Sequence, residues 1–195
     1  MERPWEPALL RAARALNAPG AGVEWVVVGS VASVVQGCEM TPRDLDLIFP
    51  SLDALRRAVV LLSQAEEVPS PEIVSQSFPG GFEWHKAQWS RDGFVTEAVF
   101  IASGGGIPDS PGGDGIWEGG RHIWSRLRRI SFHGERIPVV PLEIQLESQL
   151  RRGVVDRAEV IGETLRFRGY DPELLLEGLS TAHLALWQQG IPSAE

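Results

Sequence analysis

The sequence is poor in several residue types, and each shortage excludes something. Its 195 residues contain one cysteine, Cys38, so an internal disulfide is impossible. Cys38 reads as a small buried side chain near a turn rather than a reactive thiol. Four scattered histidines (His85, His122, His133, His183) form no Cys/His cluster for zinc. No apolar run approaches the roughly 18 residues that a membrane span needs, and the first residues carry no signal-peptide pattern. With a lone thiol, the expectation is a cytoplasmic protein without a membrane partner. Lysine is nearly absent: Lys86 stands against 17 arginines, and the formal net charge is −8. The chain therefore lacks the basic excess for broad DNA or RNA binding, which leaves open only a local strip of Arg121, Arg126, Arg128 and Arg129. Neither a G-x-x-x-x-G-K-[ST] loop nor a G-x-G-x-x-G after a strand occurs.

Apolar residues make up 43% of the chain, enough for a real core. The patterning predicts an α/β fold: a mixed β-sheet with flanking helices over residues 1–140, then a helical segment over 141–195 packed on that core. Helical spacing runs from Pro4 to Asn17 and again after Ser51, a suitable N-cap. Glu72 to Ile101 reads as strands, with Asp92-Gly93 as a hairpin turn. Ala102 to Gly120 holds eight glycines and reads as a mobile flap; a calcium loop at Gly112-Gly113-Asp114-Gly115 has no repeat to support it. Arg126 to Val140 is a second hairpin turning at His133-Gly134-Glu135. Helices follow from Pro141 to Arg151, Val154 to Arg168 and Pro172 to Gln189.

The chain is organised around Glu24 to Phe49, EWVVVGSVASVVQGCEMTPRDLDLIF. An apolar strand (Trp25 to Val28) enters Gly29-Ser30. A short apolar helix follows, and after a turn comes Asp44-Leu45-Asp46-Leu47. Side chains alternate along a strand, so Asp44 and Asp46 share one face and repel each other there. Burying both calls for a counter-charge, and a hard dication such as Mg²⁺ prefers such oxygens. Ser30 lies where the first strand meets a helix N-terminus, which suits a phosphate, and Gly29 leaves the backbone open to it. Plainer readings exist: Ser30 as an N-cap, Asp44 and Asp46 in a surface turn with Arg43 as partner. In FVTEAVFI, Glu97 shares a face with Val95, Val99 and Ile101; taken alone it reads as an edge-strand acid facing water. On the preceding strand His85 and Lys86 read as the exposed polar face of an antiparallel hairpin, with the alternative that one of the pair faces the cleft, and Trp84 and Trp89 either stack a base or pack across strands.

Apolar strand, Gly29-Ser30, thirteen intervening residues, then Asp44-x-Asp46: this order resembles the nucleotidyltransferase superfamily with the DNA polymerase beta-like fold. The run from Pro141 to Leu175 is similar to small stand-alone bacterial and archaeal members near the AbiEii-type toxins. The resemblance implies that Glu97 is the third carboxylate, a departure from the Asp of many relatives. It also implies catalysis by Asp44, Asp46 and Glu97 around Mg²⁺ or Mn²⁺, with Gly29 and Ser30 on an NTP. The implied reaction moves a nucleoside monophosphate from the NTP to an acceptor hydroxyl on a small molecule, protein or RNA. The alternatives are an inactive nucleotide-binding module and a toxin with an antitoxin partner.

Overall fold

β-branched and aromatic runs become strands here, and the turns between them are set by residues that tolerate positive φ. The computed structural model describes residues 3–78, 81–102 and 107–190. Seven strands form one mixed sheet in the order β3-β4-β5-β2-β1-β7-β6. They are β1 (Val26–Val28), β2 (Asp44–Ile48), β3 (Val74–Phe78), β4 (Phe82–Arg91), β5 (Phe94–Ala102), β6 (Arg128–Phe132) and β7 (Glu135–Val139). β1 runs antiparallel to β2 and parallel to β7, while β2 runs parallel to β5. The β4–β5 hairpin turns at Asp92-Gly93 and the β6–β7 hairpin at His133-Gly134, each pair with positive φ at both positions.

The sheet has two different faces. Leu45, Leu47, Val27, Ala98 and Trp89 pack in one core with α1 (Trp5–Asn17) and α3 (Leu52–Glu66). The predicted Ser51 cap is present, its hydroxyl accepting the Ala54 N–H at 3.1 Å. On the opposite face Val26, Val28 and Ile48 pack against Ile116, Ile123, Val140 and Ile144. Asp44 and Asp46 share that second face, because Val28 is registered with Asp46 and Val26 with Ile48.

Two expectations need correction. The stretch expected to be a mobile flap is pinned at its second half. Ile116 is fully buried, with its N–H on the Gly178 carbonyl at 2.8 Å, and the Glu118 N–H reaches Ser148 Oγ at 3.0 Å. Within it the suggested calcium turn packs on a helix: the Asp114 carbonyl accepts from Arg151 at 2.6 Å. Residues 103–106 of that stretch lie outside the described residues. Secondly, Pro172 to Gln189 is two helices, α6 (Pro172–Gly178) and α7 (Thr181–Gln189). The break falls at Leu179-Ser180, where Ser180 caps α7 through its hydroxyl and gives its N–H to the Glu147 carboxylate at 2.8 Å.

Glu147 explains why the break is stable. It sits on α4 (Leu142–Arg151), whose Glu143, Gln145, Glu147 and Gln149 are all buried. Its carboxylate is shared by Arg151, the Ser180 N–H and His183 Nδ1. α4 also packs with α5 (Val155–Arg168) in a core that includes Cys38, whose thiol burial holds it in the protonated form. Removing one member of a buried charged group strands the others. Glu147→Ala is expected to cost about 3 kcal/mol or more in chemical denaturation; a loss below about 1 kcal/mol, the value of an exposed pair, would contradict this account of α4.

Candidate active site on the acidic sheet face

The parallel pairing of β2 and β5 registers Asp46 with Glu97 and Asp44 with Val95. Registered neighbours in adjacent strands share a face, so Asp44, Asp46 and Glu97 project from the same side. β4 adds Gln88 opposite Glu97 and Lys86 one pair further along. Lys86, not His85, faces the acids: its Nζ lies 3.1 Å from Glu97 Oε1. His85 is on the other face, stacked 5.6 Å from Phe100. Trp89 is buried in the helix-side core, and Trp84 packs across strands on Phe78 at 5.5 Å.

Crowding shows most clearly at Asp46. Burial first, then the charges of Asp44, Glu97 and Glu118, push its pKa up to about 7, with Arg152 opposing. Among the described residues no ion pair joins Arg43 or any other arginine to Asp44 or Asp46, so the arginine-satisfied reading of these acids is not what forms. The hard carboxylate oxygens of Asp44 and Asp46, repelled and without a cationic partner, suit a hard dication. Among the described residues, however, no group of three His, Cys, Asp or Glu is arranged to hold a metal ion. Glu97 pairs instead with Lys86.

The Gly29-Ser30 turn lies directly beside Asp46. Gly29 has φ +64°, and a Cβ there would meet Asp46 Oδ2 at 2.7 Å. Glycine is needed twice over, for the backbone and for the approach of the acid. The helix α2 (Gly29–Val35) has Val28 at its N-cap position with no side-chain cap. Ser30 is therefore inside the first turn and is not the cap. Its hydroxyl is buried and has no partner among the described residues.

Sequence reasoning missed Glu118. Its carboxylate accepts the Gly29 N–H at 3.4 Å and pairs with Arg152 at 2.8 Å. Burial raises its pKa; Arg152, the Gly29 hydrogen bond and Arg157 oppose that rise. The backbone group expected to meet a phosphate thus already meets a carboxylate. A lone acid between Trp117 and Gly119, in a stretch without periodicity, carries no signal that could have singled it out. The arginine strip does not form as a free surface either. Arg126 pairs with Glu177 at 2.7 Å and Arg128 with Glu143 at 2.7 Å, while Arg128 and Arg129 are consecutive on β6 and point to opposite faces.

No family model and no curated protein matches the chain. Among solved structures, a candidate nucleotidyltransferase from Thermotoga maritima superposes with a TM-score of 0.56 at 23% identity, covering 86% of this chain and 97% of that one. The likeness is one of fold, a mixed sheet with flanking helices. No helix among the described residues is long and apolar enough to cross a membrane.

A raised acid binds more protons folded than unfolded, so Asp46 subtracts stability as pH climbs from its ordinary value near 4 to about 7, and by a constant amount above that. Metal-free Asp46→Asn is therefore expected to gain on the wild type across that window. At pH 8 the variant should melt at least roughly 2–4 °C higher, equivalent to about 1 kcal/mol or more. Melts in EDTA from pH 4 to 8 check this. A variant that melts lower at pH 8 would show that Asp46 is satisfied by a partner.

Proposed function

We propose that the protein is a nucleotidyltransferase that moves a nucleoside monophosphate from an NTP to an acceptor hydroxyl. The observation that carries this reading is the registered pair Asp46–Glu97, with Asp44 on the same face and the Gly29-Ser30 turn against Asp46. The likeness of fold to the Thermotoga candidate is consistent with it. Placement near the AbiEii-type toxins rests on the residue resemblance alone, and the division into a core over 1–140 and a helical segment over 141–195 rests on the sequence patterning.

Asp44 and Asp46, joined by Glu97, would hold Mg²⁺ or Mn²⁺, which when bound supplies charge neutralisation for the triphosphate and a lowered pKa for the acceptor hydroxyl. The protein's own groups do the positioning. The buried Ser30 hydroxyl, without a partner, is a donor for a terminal phosphate oxygen. Arg152, whose side chain is 53% exposed, now holds Glu118 and is within the same neighbourhood to meet a phosphate when Glu118 yields the Gly29 N–H. Glu97 is the base in this reading, paired at 3.1 Å with the Lys86 ammonium.

One observation favours a second reading. The Lys86–Glu97 pair leaves only two acids free of a cationic partner, as a nucleotide-binding module without turnover would. Pyrophosphate release separates the two. A screen of labelled NTPs with Mg²⁺ or Mn²⁺ and mixed acceptors is expected to release pyrophosphate. Asp44→Asn or Asp46→Asn should lower the rate at least about 10²-fold, the loss typical when a group that stabilises transition-state charge is removed. NTP binding with no release from any NTP would replace the enzyme reading by the module.

A further inference from the structure

A cavity of about 480 Å³ opens at the end of β2 far from Asp44, where acidic-face residues meet Phe49 and Phe100 of the helix-side core. Its floor includes Ile48, two residues along β2 from Asp46, and Ile101, four along β5 from Glu97, so it begins roughly 7–13 Å from the acids. Phe82, Trp117 and Trp124 wall it with rings. The Phe82 and Trp117 rings stand edge to face, 6.3 Å apart at 62°. The walls depend on two glycines. A Cβ on Gly119 would meet the Trp117 ring at 2.8 Å and Ile101 at 2.9 Å, and one on Gly120 would collide with the Asp109 carboxylate. Asp109 Oδ2 accepts the N–H groups of Arg121 at 2.8 Å and His122 at 3.3 Å. Its other oxygen, Oδ1, is buried with no partner among the described residues. The cavity thus offers aromatic walls, Arg121 at its lining, and an unpartnered Asp109 Oδ1 buried behind that wall.

Its position is as informative as its lining. In phosphoryl transfer the attacking and leaving oxygens stand roughly in line across the phosphorus. The Gly29-Ser30 turn leaves β1 just past Val28, on the β1 side of Asp46 and toward the Asp44 end. The cavity lies on the opposite diagonal, toward β5 and β4 and the Ile48 end. A leaving pyrophosphate at Gly29-Ser30 therefore puts the attacking hydroxyl on the cavity side of the acids.

We propose that this cavity seats the acceptor, and that the acceptor is a free nucleoside-like molecule. Such a molecule has a flat heterocycle for Trp117 and Phe82, an N–H donor for Asp109 Oδ1, and sugar hydroxyls directed at the acids. The volume lies within the range of small-ligand pockets and leaves no room for a folded polymer. This rests on the nucleotidyl-transfer reading. In the step, an acceptor oxygen bonds to the α-phosphorus of the NTP and the bond from that phosphorus to the bridging oxygen breaks. Pyrophosphate departs with the bond electrons, and the hydroxyl proton passes to the Glu97 carboxylate and on to solvent.

Adenosine, without phosphate or metal, is the probe. Titration calorimetry on the full chain is expected to show adenosine binding that falls about 10-fold or more in Trp117→Ala, the loss of a base–aromatic stack. Asp109→Asn keeps an oxygen for the Arg121 N–H, guards against a folding artefact, and should weaken adenosine several-fold. Binding of ATP with Mg²⁺ should be unchanged in both variants. In the wild type, adenosine should accelerate pyrophosphate release and appear in the nucleotidylated product. Loss of ATP binding in Trp117→Ala would mean that the cavity takes the base of the NTP, and would overturn the acceptor assignment. Pyrophosphate release without adenosine binding would overturn that assignment and leave nucleotidyl transfer standing, as would labelling of an RNA end alone. Adenosine binding with no pyrophosphate release from any NTP would overturn the transfer reading, and the acceptor role with it.

Discussion

Four carboxylates crowd one end of one sheet face, and much of the surrounding structure answers their repulsion. Asp46 is at the centre, pushed up to about 7 by burial and by Asp44, Glu97 and Glu118. Lys86 draws off Glu97, Arg152 draws off Glu118, and Gly29 has no side chain so that Asp46 has somewhere to go. Asp44 and Asp46 keep no cationic partner among the described residues. A fold that needed these positions only for stability would have gained by placing Asn or Ser there, since a crowded acid costs stability at neutral pH. The arrangement makes physical sense as one that waits for positive charge.

The sheet makes the crowding unavoidable. β2 lies between β1 and β5, antiparallel to one and parallel to the other, and its Leu45 and Leu47 are fixed in the helix-side core. A slip of one residue would bury Asp44 and Asp46 among α1 and α3 and expose both leucines, so the core itself holds the acids in register. The same alternation on β5 sends Ala98 inward and Glu97 outward. Stability and site geometry are thus two readings of one pattern, and the helix-side core can be varied only in ways that keep the register.

What the sequence made legible follows from this. Alternation in DLDLI and FVTEAVFI is enough to assign the faces of β2 and β5, and Asp92-Gly93 and His133-Gly134 announce both hairpins. The mixed sheet and flanking helices were readable for that reason. The partners of the acids were not. Lys86 and Glu97 meet only because the hairpin register places them diagonally, and Glu118 and Arg152 are 34 residues apart on a loop and a helix end. The split between α6 and α7 was hidden because its cause, the Glu147 carboxylate, lies on another helix. Non-periodic stretches also concealed the cavity, whose Asp109 and Trp117 come from the glycine-rich run read as a flap. Long-range contacts of single charged residues leave no trace in periodicity.

We propose that Asp44 and Asp46 would together hold a dication rather than form a structural pair. Manganese binding at pH 8, followed by the loss of the free Mn²⁺ electron paramagnetic resonance signal, tests it most directly. The account predicts saturable binding by the wild type that disappears in Asp46→Asn while the variant stays folded. An undiminished free-manganese signal with the wild type, or equal binding by the variant, would contradict it.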